Sequence, residues 1–159
     1  AKSVARAGSP ATDPAAAAAM KAAAKPVPIL RRRTETEPVI ELSGLSEYLA
    51  ALDAAQGSLV VLKFYAPWCR SCRAIEPKFK RLAREFAGVV WLQLDFEAHK
   101  ALGRRLGVDS MPRFHFYAGA AGKVEDFSCG PARWETFRPR VEEYLKESCE
   151  IHDTEEFSN

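Results

Sequence analysis

Cysteine is scarce in this chain: four in 159 residues, at Cys69, Cys72, Cys129 and Cys149. That is too few to staple a chain of this length into a disulfide framework. Long hydrophobic runs are missing as well. Nothing approaches the roughly 20 apolar residues of a membrane span. The longest runs, Leu59 to Tyr65 and Val89 to Leu94, have the length and composition of strands. The three histidines, His99, His115 and His152, form no H-x3-5-H spacing, and only one C-x-x-C is present. A structural zinc site would lack half its ligands, and no metal or cofactor is expected.

Charge is unevenly spread. Residues 1–33 hold seven bases and one acid, Asp13, for a net +6, which leaves −4 on the remainder of a chain whose total is +2. Residues 147–159 contain five acids and no Lys or Arg. A basic arm and an acidic tail thus flank a mixed middle.

Residues 1–37 are rich in Ala and Pro, and their few larger apolar side chains are scattered. They are expected to contribute nothing to the stability of a folded core, because so little burial cannot offset the ordering entropy. The first residue is Ala, and a stretch rich in Ala and base and poor in acid resembles the end of an organelle transit peptide. Arg31-Arg32-Arg33 lacks interleaved aromatics. It is therefore read as an electrostatic contact for a protein or a peripheral membrane surface rather than for nucleic acid.

A folded domain is expected over 38–147, with an acidic tail over 148–159. Val39 to Glu41 predicts a short strand. Leu42, Leu45, Tyr48, Leu49 and Leu52 follow at helical spacing, with Ser43 available as N-cap. Leu59 to Tyr65 predicts a central strand buried on both faces. A second helix carries Ile75, Phe79, Leu82, Ala83 and Phe86 inward. Then come a strand over Val89 to Leu94, a short helix over Glu97 to Leu106, strands over Phe114 to Tyr117 and Lys123 to Phe127, and a last helix through Trp134, Phe137, Val141, Tyr144 and Leu145. This order reads as an α/β domain, a mixed central sheet with helices on both faces.

Cys69 and Cys72 lie between the central strand and the second helix. A first thiol at a helix start faces unpaired N–H groups and the positive end of the macrodipole, which lowers its pKa and makes it the nucleophile. A second thiol three residues on can resolve a mixed disulfide.

The segment Phe64-Tyr65-Ala66-Pro67-Trp68-Cys69-Arg70-Ser71-Cys72 resembles the active-site segment of thioredoxins. Pro77 matches their helix-kink proline, and Met111-Pro112 their cis-proline loop, which offers backbone groups to a bound polypeptide. The resemblance implies a thioredoxin fold and a protein-disulfide oxidoreductase. Cys69 and Cys72 would be catalytic, with Trp68, Met111 and Pro112 contacting the substrate. The stretches Asp95 to Leu102, Met111 to Tyr117 and Lys123 to Cys129 further resemble the atypical cysteine/histidine-rich thioredoxins of plastids. That match implies a stromal or thylakoid-surface location and target protein disulfides such as those of two-cysteine peroxiredoxins. A second reading makes the chain a thioredoxin-like subunit docked through its arm in a larger plastid assembly.

Two departures stand out. Arg70-Ser71 replaces the usual Gly-Pro, and Arg70 adds a cation beside the thiolate. Lys63 occupies a position where many thioredoxins bury an aspartate that accepts the resolving thiol's proton. Two readings of Lys63 stand: a head that reaches water or an acid such as Glu76, or a neutral amine acting as base. Cys129, after the last strand, is read either as a buried filler or as an accessory thiol. Cys149 is expected to be an exposed bystander.

Overall fold

The computed structural model describes residues 29–155, with side chains through 148. Five strands form one mixed sheet: β1 (Ile40–Leu42), β2 (Leu59–Tyr65), β3 (Val90–Asp95), β4 (Arg113–Ala118) and β5 (Lys123–Ser128). Their spatial order is β1-β3-β2-β4-β5. β1 and β2 both pair parallel with β3, whereas β4 runs antiparallel to β2 and to β5.

β2 is central, and its period-two alternation feeds two apolar layers. Val60, Leu62 and Phe64 join Tyr48, Ala51 and Ala55 of α1 (Leu45–Ala55) and Leu102 of α3 (Lys100–Arg105). Leu59 and Val61 join Ile75, Phe79, Leu82 and Ala83 of α2 (Arg70–Glu85) and Phe137 and Val141 of α4 (Phe137–Glu155). Aromatics fill the second layer. Phe79 meets Trp91 edge-on at 5.2 Å, and Trp134 stacks on Phe137 at 4.6 Å. The predicted element order and the two-faced sheet are both present.

Four local expectations are corrected. Leu42 ends β1 instead of starting α1, and the N-cap of α1 is Gly44, not Ser43. Gly44 has φ 137°, a conformation that L side chains rarely adopt. The Ser43 backbone N–H instead donates to Glu47 Oε2 at 2.8 Å. Leu45 and Leu49 are exposed, and Ala51 and Ala55 take the buried stripe. The packed chain also begins earlier than residue 38. A 3-10 turn, Ile29–Arg32, seats Ile29 at 3% exposure in the α1 layer. Arg33 donates to Val89 O at 2.8 Å and to Ala83 O at 3.2 Å, and Arg32 pairs with Glu47 at 2.6 Å. Ile29 to Arg33 are therefore part of the domain's own packing, because one apolar anchor and one carbonyl-bridging guanidinium suffice to fix a short turn. The rest of the arm, residues 1–28, lies outside the described residues. At the other end α4 continues to Glu155, past the predicted boundary at 147. Among the described residues no helix is long and apolar enough to cross a membrane.

Candidate active site

The site forms where β2 ends and α2 begins. After Tyr65 the chain turns, the Cys69 N–H donating to Ala66 O at 3.0 Å, and Cys69 becomes the N-cap of α2. Its Sγ accepts a hydrogen bond from the Cys72 backbone N–H at 3.2 Å. One orphan donor of the helix start thus points directly at the sulfur, which favours a thiolate there. Cys69 and Cys72 are joined as a disulfide, with Cα atoms 5.3 Å apart. They are 6% and 3% exposed and pack with Ala66, Tyr65 and Met111. Pro77 lies inside α2.

The Met111-Pro112 bond is cis. Ser128 at the end of β5 ties this loop down, its hydroxyl donating to Pro112 O at 2.9 Å. On the other side Trp68 is 62% exposed. Its indole N–H donates to Glu97 Oε1 at 2.9 Å, and Glu97 Oε2 in turn meets Lys100 Nζ at 3.1 Å. These two bonds hold the Glu97 carboxyl below the usual range. The cysteines, Trp68 and the Met111-Pro112 loop are thus gathered at one end of the sheet. Arg70 is exposed on the first turn of α2.

Lys63 lies beneath the site, 2% exposed. Its Nζ sits 4.5 Å from the Phe79 ring centroid and 5.5 Å from that of Tyr65. Lys63 and Cys72 line one cleft of about 240 Å3 together with Tyr65, Ala66, Pro67, Arg73, Glu76, Gln93 and Asp95. Burial lowers the Lys63 pKa to about 8, against the upward pull of Glu76 and Glu41. The Tyr65 hydroxyl donates to Glu41 at 2.5 Å. Burial raises the Glu41 carboxyl, and the hydrogen bonds from Tyr65 and Gln93 oppose it.

Cys129 is free and 1% exposed, held in the aromatic layer with its thiol donating to Arg133 O at 3.4 Å. Burial raises its pKa, so it is a poor nucleophile in this position. The Cys149 side chain lies outside those described.

Sequence reasoning missed Glu97 as the partner of Trp68, and it missed the polar group Glu41, Gln93 and Asp95. The second had a signal: Gln93 and Asp95 interrupt an apolar strand at period two, the same alternation that pairs Lys63 with Tyr65 on β2.

Comparison with known proteins agrees with this geometry. The Thioredoxin family model matches residues 40–142. "Thioredoxin-like 2, chloroplastic" of Oryza sativa subsp. japonica is 37% identical over 116 residues, covering 73% of this chain and 50% of that protein. "Thioredoxin-like 2-2, chloroplastic" of Arabidopsis thaliana is 38% identical over 109 residues, covering 62% of this chain and 46% of that protein. The chain therefore spans about half the length of these curated relatives. Among solved structures, the long form of thioredoxin f from spinach chloroplast superposes with TM-score 0.61 at 27% identity, covering 67% of this chain and 86% of that one. With its fold, its bonded Cys69–Cys72 pair and a family match over most of the folded domain, the chain belongs to the thioredoxin family.

Proposed function

We propose that the protein is a thiol–disulfide oxidoreductase acting on target protein disulfides in the plastid. The observation that carries this reading is the placement of Cys69 as N-cap of α2, bonded to Cys72 and accepting its backbone N–H. In the dithiol state the Cys69 thiolate attacks a target disulfide. One target sulfur leaves as thiolate, and a mixed disulfide forms. Cys72 then attacks Cys69 Sγ, the Cys69–Cys72 bond closes, and the second target sulfur leaves. Two electrons pass to the target, and the protein ends oxidised. Trp68 offers a flat apolar contact and the Met111-Pro112 loop offers backbone groups to the target chain. Arg70 adds a positive charge beside the thiolate, which stabilises the reduced form and makes the couple more oxidising. The chloroplastic relatives support the plastid location, and two-cysteine peroxiredoxins are one target class of suitable chemistry.

Cys72→Ser tests this reading. The variant should stall as a mixed disulfide through Cys69, and its partner is then identified by mass. A variant that traps nothing from a plastid extract, or that traps through Cys129, contradicts the assignment.

The uneven terminal charges favour a second reading, a thioredoxin-like subunit fixed in a plastid complex through the basic leader. Gel filtration of native extract separates the two. A small free species supports the carrier, and a constant large one supports the subunit.

A further inference from the structure

Lys63 sits where a charged side chain needs a reason. On β2 it shares the α2-facing side with Leu59, Val61 and Tyr65. Its neighbour in register on β3 is Gln93, and the neighbour of Gln93 on β1 is Glu41. A polar row, Glu41–Gln93–Lys63, therefore crosses three strands from the β1 edge of the sheet inward. From α2, Cys72, Glu76 and Phe79 at i, i+4 and i+7 share one helix face. Phe79 lies under the Lys63 amine, and Cys72 and Glu76 line the same cleft as Lys63. Among the described residues no carboxylate comes within 4.0 Å of Lys63 Nζ, and Glu76 is paired with Lys80 at 3.6 Å. The charged and titratable groups around the cleft are Glu41 from β1, Tyr65 from β2, Asp95 from β3, and Arg73, Glu76 and Lys80 from α2. The cleft, about 240 Å3, has room for several waters at roughly 30 Å3 each.

We propose that Lys63 is the proton acceptor for Cys72, its neutral amine taking the thiol proton through cleft water as Cys72 resolves the mixed disulfide. The proposal rests on the disulfide-exchange reading and deepens it. The balance is simple. The Cys72 S–H bond breaks and an N–H bond forms on Lys63. The Cys72 sulfur pair forms the bond to Cys69, and the electron pair of the broken Cys69–target bond leaves with the target sulfur. The ammonium then gives its proton to water. The lowered proton affinity of Lys63, about 8, puts this exchange near neutral pH. A buried carboxylate in the same place would become neutral on accepting the proton. Lys63 becomes cationic, so the charge it gains favours a nearby thiolate.

Single-turnover kinetics with a disulfide-bridged peptide, quenched in acid and resolved by mass, separate the two steps. The wild-type protein should form the mixed disulfide, then resolve it at a rate that rises with pH and levels above about 8. Lys63→Met should form the mixed disulfide at the wild-type rate but resolve it about 10²-fold more slowly below that pH. Lys63→Arg, which keeps the cation but cannot take a proton, should remain slow. Normal resolution in Lys63→Met, or full rescue in Lys63→Arg, overturns the proposal. A wild-type protein that forms no mixed disulfide overturns the parent reading instead. Should the variants fail to fold, the wild-type protein still decides the matter. Its Lys63 15N resonance should titrate near pH 8 and move on reduction of the disulfide. A titration near that of a free lysine, unchanged by reduction, contradicts the proposal.

Discussion

His115 is fully buried on β4, between Phe64 at 4.8 Å edge-on and the Tyr117 hydroxyl at 3.3 Å from Nδ1. Tyr117 accepts from the Tyr48 hydroxyl at 2.9 Å, and Asp126 lies 3.3 Å from His115 Nε2 while also binding Arg113 and Lys123. Burial lowers the His115 pKa to about 4. Asp126 opposes that shift, and Lys123 and Arg113 add to it. In the unfolded chain a histidine titrates near 6.5. Between these values the unfolded state binds a proton that the folded state refuses, so stability is full above about pH 6.5 and falls as pH drops toward 4. The loss at the acid end is at most about 3 kcal/mol for this one group. Urea midpoints at pH 7 and pH 5 should therefore differ more for the wild-type protein than for His115→Leu. Equal differences would remove His115 as the cause. Trp68 makes a second prediction at this scale. Trp68→Ala should raise KM for a protein disulfide several-fold, by loss of exposed contact area, while alkylation of Cys69 by a small reagent stays unchanged. A parallel fall in both would show that Trp68 shapes the cysteines rather than the target contact.

Among the elements, α2 and the Ile29–Arg32 turn carry the clearest tests. α2 presents one of its first backbone donors, the Cys72 N–H, to Cys69 Sγ, so Cys69 should be the more reactive thiol of the reduced protein, alkylated well below the reference pKa of about 8.5. Cys72→Ser should keep that reactivity, whereas labelling of Cys72 in Cys69→Ser should need higher pH. Equal labelling of both at ordinary thiol pKa values would contradict the N-cap argument. Ile29→Ala should cost about 2 kcal/mol or more, because a nearly fully buried aliphatic side chain is lost. Deletion through residue 37 should cost a similar or larger free energy, seen as a lowered Tm in thermal unfolding. An unchanged Tm would restore the expectation that this stretch adds nothing. Strong patterns were legible in the sequence. β2 shows as an unbroken apolar run, α2 as an amphipathic stripe, and Cys69 falls at their junction. What was hidden depended on tertiary contacts. Nothing local marks Ile29 as an anchor, since the partner surface on α1 is formed far along the chain. The start of α1 was hidden because Gly44 caps it through backbone conformation rather than through a side-chain oxygen. Lys63 was visible as an anomaly, but its surroundings were not: that Glu76 pairs with Lys80 and that Cys72 shares the cleft depends on tertiary contacts.

For the molecule as a whole, two apolar layers on one five-stranded sheet hold the end of β2, the start of α2 and the Met111-Pro112 loop at one rim. Phe79, Trp91, Phe114 and Phe137 pack together in the layer under α2 and α4, and the Lys63 amine meets that layer at the Phe79 ring. On the proposed function, this rim passes two electrons between Cys69/Cys72 and a target disulfide. The most direct measurement is a single-turnover reaction of the fully reduced protein with a disulfide-bridged peptide, with both products weighed by mass spectrometry. Electron transfer through this pair requires one peptide reduced for each Cys69–Cys72 disulfide formed, a stalled mixed disulfide in Cys72→Ser, and no reaction in Cys69→Ser. A Cys69→Ser variant that reduces the peptide at the wild-type rate would contradict it.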